Sequence, residues 1–209
     1  QAVAHAIDKK KMIQILFNEL GYSQDGPMSP SSGFFYNPHV RSYAYDLEQA
    51  RKLLKEGGFV YKQGAYYDQT GHRLEFNLYT ASSSQHSENT QMATMIRSDL
   101  EKLGIKVNFV TLEFNTLVSK LMASYDWDAV LIGLTGGVEP HFGKNVLSSS
   151  GQLHVWNPKQ KTPATTWEKR MDDIYNEAAS QLDENKRKVL YDEWQVLASE
   201  QLPLIYTIL

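Results

Sequence analysis

The stretch Asp128-Ala-Val-Leu-Ile-Gly-Leu-Thr-Gly-Gly-Val-Glu-Pro-His141 joins an apolar run to a loop that contains two adjacent glycines. The apolar run from Ala129 to Leu134 has the length of a buried strand and is too short for a typical helix. Gly136 and Gly137 follow it, and glycine lets a backbone approach another molecule closely. Open α/β sheets bind ligands at the carboxyl ends of their strands, so this loop is a candidate ligand site. A structural strand with an ordinary exit loop is the alternative.

The segments around this stretch alternate between strand and helix patterns. Apolar residues at helical spacing predict helices over 1–18, 46–56, 87–103, 114–124, 166–182 and 184–201. Alternating or continuous apolar residues predict strands over 74–80, 105–112, 128–134 and 202–209. Long polar loops are predicted over 21–42 and 135–163. The alternation indicates an α/β fold with a mixed open sheet and helices on both faces, formed by residues 1–209 as a single domain.

The composition is that of a globular protein. Of 209 residues, 42% are hydrophobic and 22% charged, and the net charge is −3. The longest basic run is Lys9–Lys11, which argues against nucleic-acid binding, since that requires clustered Lys and Arg. No cysteine is present, which excludes disulfides and thiolate metal sites. Both ends fall within predicted regular structure, so we expect an excised domain. Separately, we predict no cofactor.

Aromatic residues fall into two predicted groups. We expect Trp167 and Trp194 to be structural because they lie on helices at packing spacing, and Phe142 and Trp127 to belong to the core. The aromatic triplet 34–36 should also pack on something, because full exposure would be costly. Trp156, Asn157 and Tyr36 could instead stack on or hydrogen-bond a ligand, as such groups often line clefts, although Trp156 could equally cap the core.

Seven short motifs occur in order along the chain and resemble those of one family. They are Ala4-His-Ala-Ile-Asp-Lys-Lys10, Gly26-Pro-Met-Ser-Pro30, Tyr45-Asp-Leu-Glu-Gln-Ala-Arg-Lys-Leu-Leu-Lys-Glu-Gly-Gly-Phe59, Asp68-Gln-Thr-Gly-His-Arg-Leu74, the segment Ile96 to Val107, Arg187-Lys-Val-Leu-Tyr-Asp-Glu-Trp-Gln195 and Leu202-Pro-Leu-Ile-Tyr206. The family is that of the large periplasmic solute-binding proteins of the peptide/nickel type, family 5, which supply ABC transporters. Each motif alone is weak, but their order and spacing together are specific.

The resemblance implies a role as well as a fold. It implies that the chain is the C-terminal lobe of a two-lobed class II periplasmic-binding protein, whose lobes close on a small solute, possibly a peptide. It also implies ABC permease subunits as partners of the full-length protein and an extracytoplasmic location. Membrane attachment is expected only through an anchor outside this segment. A ligand-sensing receptor of the same fold, signalling to a kinase or regulator, is the alternative.

The resemblance also exposes two departures at the expected ligand site. Peptide-binding members usually place an Asp for the peptide ammonium in the loop after strand 128–134, but Gly137 stands near that position. Glu139 could substitute, although the adjacent Pro140 constrains it differently. The loop that includes Ser83 and His86 lacks the basic group expected for a peptide carboxylate. A ligand held by neutral groups, such as a blocked peptide or a glycopeptide, is therefore left open.

The candidate cleft-lining residues combine these observations. They are Thr135, Gly136, Gly137, Glu139, His141, Trp156, Asn157, Ser83, His86 and Tyr36. His141, His154 and Glu139 could alternatively bind a metal, although no helical ligand pair supports this. The serines 148–150 with His154 and Glu139 could form a hydrolytic triad, but nothing in the sequence specifies that geometry. We therefore predict no metal ligand, no catalytic residue and no enzymatic activity.

Overall fold

The computed structural model describes residues 1–82 and 87–209, which divide into two compact units. The first unit comprises residues 1–21 and 43–133, and the second comprises residues 22–42 and 134–209. The division falls between Gly133 and Leu134. The stretch from Asp128 to His141 therefore begins in the first unit and ends in the second.

The first unit contains the sheet. Its described helices and strands are α1 (Ala2–Ala6), α2 (Lys9–Leu16), α3 (Leu47–Glu56), β1 (Val60–Lys62), β2 (Ala65–Tyr67), β3 (Glu75–Ala81), α4 (Ser87–Leu103), β4 (Lys106–Leu112), α5 (Phe114–Ser119), which continues into the π-helical turn Lys120–Ser124, and β5 (Ala129–Val130). The predicted helix over 1–18 is divided at Asp8. The Asp8 carboxylate accepts a hydrogen bond from the Lys11 N–H and caps α2, so a second helix begins there.

The central strand of the sheet is β3. The three strands run parallel in the order β4-β3-β5, and β3 pairs with β4 along its whole length, beginning at Glu75 opposite Lys106. Parallel neighbours need a crossover connection, and α4 supplies it between β3 and β4. β1 and β2 form a separate antiparallel hairpin.

Both faces of β3 are covered. Leu78 and Thr80 are buried on one face, and the Thr80 hydroxyl donates a hydrogen bond to the Leu131 carbonyl at 2.9 Å. Tyr79 points to the other face because strand side chains alternate, and the Lys120 ammonium lies 4.9 Å from its ring centroid. The predicted α/β class is confirmed.

Local signals place α3 and α4 of this unit correctly. The Asp46 carboxylate accepts a hydrogen bond from the Gln49 N–H at 2.9 Å, and α3 begins immediately afterwards. α4 has the predicted bounds, and Gly104 follows it with φ of 99°. Such a positive φ suits glycine, which ends the helix without the strain that a Cβ would add.

The predicted strand 128–134 is wrong in its length. Only Ala129 and Val130 pair with β3, opposite Leu78 and Tyr79. Continuing this register places residue 132 opposite Ala81, where β3 ends, so Leu134 lies beyond its partner strand. Leu134 is accordingly 52% exposed.

The second unit is mainly helical. Its described helices are two 3₁₀ helices, Pro30–Phe35 and Pro140–Gly143, and three α-helices, α6 (Lys144–Leu147), α7 (Thr166–Ser180) and α8 (Glu184–Gln201). The two long helices confirm the sequence prediction. Thr165 and Glu168 form a complete capping box at the start of α7, and the Asp183 carboxylate caps α8.

An aromatic core holds the second unit together. Tyr175, Tyr191 and Trp194 are buried between α7 and α8, and their rings meet edge to face. Phe35 joins them, with its ring centroid 5.8 Å from that of Tyr191. Trp167 packs against this cluster, so both tryptophans assigned to structure are structural.

Three sequence predictions for this unit are wrong. The predicted last strand forms only a single antiparallel bridge, between Ser23 and Ile208. Leu202 takes a left-handed conformation after α8, and Pro203 has no N–H to donate, so regular strand geometry is interrupted at the start of this segment. The predicted loops 21–42 and 135–163 are also interrupted, because the first contains the 3₁₀ helix Pro30–Phe35 and the second contains a 3₁₀ helix and α6.

Candidate ligand-binding site

The candidate loop, residues 134–143, carries half of the predicted site residues. Thr135 and Gly136 are exposed, and Gly137, Glu139 and His141 are half-buried. The loop ends in a 3₁₀ turn that starts at Pro140 and passes into α6. Ser83 and His86 lie outside the described residues.

The Glu139 carboxylate is paired within the second unit. Its Oε2 accepts a hydrogen bond from Arg187 Nη2 on α8 at 3.3 Å. The guanidinium also lies 5.3 Å from the Phe35 ring centroid, in cation–π contact. Side-chain exposures of 33% for Glu139 and 26% for Arg187 leave this pair only partly accessible to water.

His141 reaches the same helix. Its Nδ1 lies 3.2 Å from the Tyr191 hydroxyl, and its ring packs edge-on against Tyr175. Burial raises the pKa of Tyr191 to about 12; the Glu139 carboxylate adds to this shift, and the Arg187 guanidinium opposes it. The Tyr191 hydroxyl therefore remains protonated at neutral pH and available for the hydrogen bond with His141.

Phe142 is the exposed aromatic group of the candidate loop. Its side chain is 73% exposed, so its assignment to the core is wrong. The ring lies against the backbone of Gly137, where an added Cβ would come 2.9 Å from Phe142 Cγ. The chain turns through Pro140–Gly143 between these residues, and this local turn directs the ring outward and back over the glycine.

A second set of predicted residues lies in the Trp156 segment, residues 148–165. Trp156 Nε1 donates to Glu168 Oε1 on α7 at 3.2 Å, and its ring stacks on Trp167 and lies 3.8 Å from the His154 ring, centroid to centroid, at a tilt of 50°. Trp156 also packs against the aromatic core. Both its polar and its apolar atoms are therefore engaged within the unit, which favours the structural role among the two predicted for it.

Glu168 anchors this segment to α7. The carboxylate is 3% exposed and also accepts hydrogen bonds from Gln160 Nε2 and from the backbone N–H groups of Ala164 and Thr165. Burial raises the pKa of Glu168, but the hydrogen bonds to its charged form outweigh burial and leave the pKa lowered. The carboxylate is therefore ionised at neutral pH, with its charge solvated by protein donors.

His154 is buried beside this carboxylate. It is 2% exposed, and its Nε2 lies 3.6 Å from Glu168 Oε1, while neither ring nitrogen makes a hydrogen bond to the described residues. Burial lowers the pKa of the imidazole, and the carboxylates of Glu168 and Asp172 oppose that shift only in part. His154 is therefore neutral at neutral pH.

The predicted site residues fall into separate groups. Glu139 and His141 are bound to α8, whereas Trp156 is bound to α7. Asn157 joins the second group, because its side chain bonds Gln160, which in turn bonds Glu168. Tyr36 packs against the aromatic core.

The described side chains are not arranged for the alternative hydrolytic or metal-binding site. The Ser149 N–H donates to Asp172 Oδ1, His154 faces Glu168, and Glu139 pairs with Arg187, so the members of the imagined triad are directed to different partners. Across residues 1–82 and 87–209, no group of three His, Asp or Glu side chains is placed to hold a metal ion.

Sequence reasoning missed three residues that organise these segments, Arg187, Tyr191 and Glu168. Arg187 and Tyr191 are four positions apart, which places them on one face of a helix, but nothing local identifies their partners. Glu168 was detectable, because Thr165-Thr-Trp-Glu168 has the Thr-x-x-Glu spacing of a capping box. That signal predicts a helix start but not the anchoring of residues 156–164.

No helix in the described ranges has the length and apolar character required to cross a membrane. The sequence profile of "Bacterial extracellular solute-binding proteins, family 5 Middle" matches residues 1–152. This covers well over half of the chain and overlaps both units.

Curated relatives extend the match over nearly the whole chain. The heme-binding protein A of Haemophilus influenzae is 28% identical over 98% of this chain and 35% of its own length. The dipeptide-binding protein of Escherichia coli is 26% identical over 98% of this chain and 36% of its own length. The chain thus spans about a third of these relatives.

A solved structure shows the same fold. The oligopeptide-binding protein AppA from Bacillus subtilis, in complex with a nonapeptide, superimposes with a TM-score of 0.85 at 22% identity, over 100% of this chain and 40% of that one. Sequence profile, relatives and fold agree. The chain belongs to the family 5 bacterial extracellular solute-binding proteins.

Proposed function

We propose that residues 1–209 act together as one lobe of the substrate-binding component of an ABC-type uptake transporter. The family match over residues 1–152 carries this proposal, supported by relatives named for binding dipeptides and heme. Family 5 proteins act outside the cytoplasm, and we propose the same location here. The solute, of oligopeptide-like chemistry, is held in a cleft between this lobe and the remainder of the full-length protein.

The role of the candidate loop in this proposal is to contact the solute. Thr135 and Gly136 of the loop are exposed, whereas the side chains of Glu139 and His141 bind α8. The glycine-rich loop is therefore held in place. A pre-organised loop loses little conformational freedom on binding. Closure of the two lobes excludes water and presents a new surface to the permease.

Mass spectrometry of solutes that co-purify with the full-length protein tests the proposal. We expect an intact solute that rebinds the emptied protein in calorimetry. Affinity should fall by at least about tenfold when residues 1–209 are used alone, because half of the cleft is then missing. Tight binding by residues 1–209 alone would overturn the two-lobe account, and conversion of the solute would overturn the non-catalytic one.

A further inference from the structure

The candidate loop turns its two titratable side chains inward and three of its apolar side chains outward. Glu139 and His141 bond to Arg187 and Tyr191 on α8. Leu134, Val138 and Phe142 are 52%, 64% and 73% exposed. A single exposed apolar side chain is ordinary, but three within nine residues, in a loop whose Glu139 and His141 are already paired, indicate a surface used for contact.

The charge balance of the loop disfavours a cation. Glu139 is the only acidic residue between positions 134 and 143, and no lysine or arginine lies within those positions. Its carboxylate is already paired with the Arg187 guanidinium at 3.3 Å, and the Glu184 carboxylate, 3.9 Å from the same guanidinium, is 71% exposed and therefore screened by water. An ammonium group approaching this carboxylate would be repelled by the guanidinium behind it, so the net attraction is small. It would also have to give up its hydration for this weak partner.

The backbone of the turn that carries Phe142 is held in place. The Phe142 N–H donates to the Glu139 carbonyl at 3.1 Å, and the ion pair of Glu139 binds the same turn to α8. The Phe142 ring lies against the Gly137 backbone on one side and is otherwise exposed. A pre-organised backbone offers the aromatic ring to a ligand at little cost in main-chain freedom.

We propose that the candidate loop selects solutes that bring an uncharged, apolar group to it, and that Arg187 is the positioning residue that prevents recognition of a free ammonium there. This inference rests on the proposed function and specifies its substrate class. The expected ligands are peptides whose amino end is blocked.

Calorimetry on the full-length protein with two matched probes tests this inference. The probes are L-Phe-L-Ala and N-acetyl-L-Phe-L-Ala, which differ only in the charge and blocking of the amine. We expect the acetylated peptide to bind at least about tenfold more tightly. Equal affinity, preference for the free amine, or failure of both peptides to bind would overturn the inference.

Variants show whether Arg187 causes the preference. Arg187→Gln should improve binding of L-Phe-L-Ala and reduce the ratio of the two affinities to about threefold or less, because Glu139 then carries an unbalanced charge. Arg170→Gln is the matched control, since Arg170 pairs with Glu193 and Glu177 at the exposed surface of α7 and α8. The control should leave the ratio unchanged, and an equal change in both variants would overturn the role of Arg187.

A second variant keeps the test decisive if Arg187→Gln does not fold. Glu139→Gln should weaken L-Phe-L-Ala binding and increase the ratio, because the Arg187 guanidinium then carries an unbalanced positive charge that repels the ammonium. An unchanged or smaller ratio in Glu139→Gln would show that the charge of Arg187 does not act on the ammonium, and would overturn the inference. Solute co-purification with the wild-type protein tests the proposed function separately, so failure of one is distinguishable from failure of the other.

Discussion

The candidate loop and the Trp156 segment lie in the same unit, and both carry residues predicted to line a ligand cleft. In the Trp156 segment, the indole of Trp156 and the imidazole of His154 are turned into the unit around the buried carboxylate of Glu168. In the candidate loop, the polar groups of Glu139 and His141 are turned inward and the Phe142 ring faces solvent. Aromatic content alone therefore does not identify a binding loop; the direction of the side chains does.

The largest effect should come from the anchor of the Trp156 segment. Glu168→Ala removes the acceptor of four hydrogen bonds from Trp156, Gln160, Ala164 and Thr165. Hydrogen bonds to a buried charge are strong, and their donors would be left unpaired, so we expect a loss of about 3 kcal/mol or more in urea unfolding. Glu193→Ala, at an exposed ion pair, should cost less than about 1 kcal/mol. Equal losses of unfolding free energy in the two variants would contradict this prediction, because the buried and the exposed carboxylate would then contribute alike.

A pH effect should follow from His154. Burial lowers the pKa of the His154 imidazole from its ordinary value of 6.5. The unfolded chain therefore binds a proton on this residue at pH values where the folded chain does not. Stability is therefore complete above pH 6.5 and falls as pH decreases, by at most about 1.4 kcal/mol per pH unit. Glu168 and Asp172 face this imidazole from α7, and the lowered pKa of Glu168 contributes a loss only below its ordinary value of 4.5.

Thermal unfolding between pH 7.5 and pH 5 isolates the histidine from the carboxylate. We expect His154→Gln to flatten the dependence in this window, because glutamine does not titrate. His72→Gln is a suitable control, since the His72 side chain is 84% exposed. A slope that His154→Gln leaves unchanged would show that buried His154 does not produce the effect.

A smaller effect is expected at Gly137. Gly137→Ala places a Cβ against the Phe142 ring, which can move outward because it is mostly exposed, so stability should fall by less than about 1 kcal/mol. Binding of N-acetyl-L-Phe-L-Ala to the full-length protein should nevertheless weaken. If Gly137→Ala acts through the Phe142 ring, the double variant should bind the peptide no more weakly than Phe142→Ala alone. Additive losses would contradict this coupling.

The smallest change in stability is expected at Phe142 itself. Phe142→Ala should alter the free energy of unfolding by no more than about 0.5 kcal/mol, because the side chain is exposed. Phe35→Ala, the matched change in the aromatic core, should cost about 3–5 kcal/mol. A large loss for Phe142→Ala would mean that this ring has a structural role, and that the two segments do not differ as described.

Local signals account for the parts of the fold that the sequence predicted well. Asp46 and Asp183 cap their helices through side chain to backbone bonds within three residues, so α3 and α8 begin where expected. β5 and the C-terminal segment were predicted too long because strand length depends on a partner. β3 ends opposite residue 132, and residues 22–24 provide only a short partner for the segment around Ile208.

The sequence by itself determined the family, through the order and spacing of its motifs. It also determined the starts of capped helices such as α3 and α8 and the position of the candidate loop, because these depend on residues close together in the chain. Only the tertiary structure decided which groups that loop presents. Arg187 lies 48 positions from Glu139, and no local pattern predicts that its guanidinium would neutralise this carboxylate. Likewise, the exposure of Phe142 depends on a turn held against α8, so its apolar character alone wrongly predicted a core position.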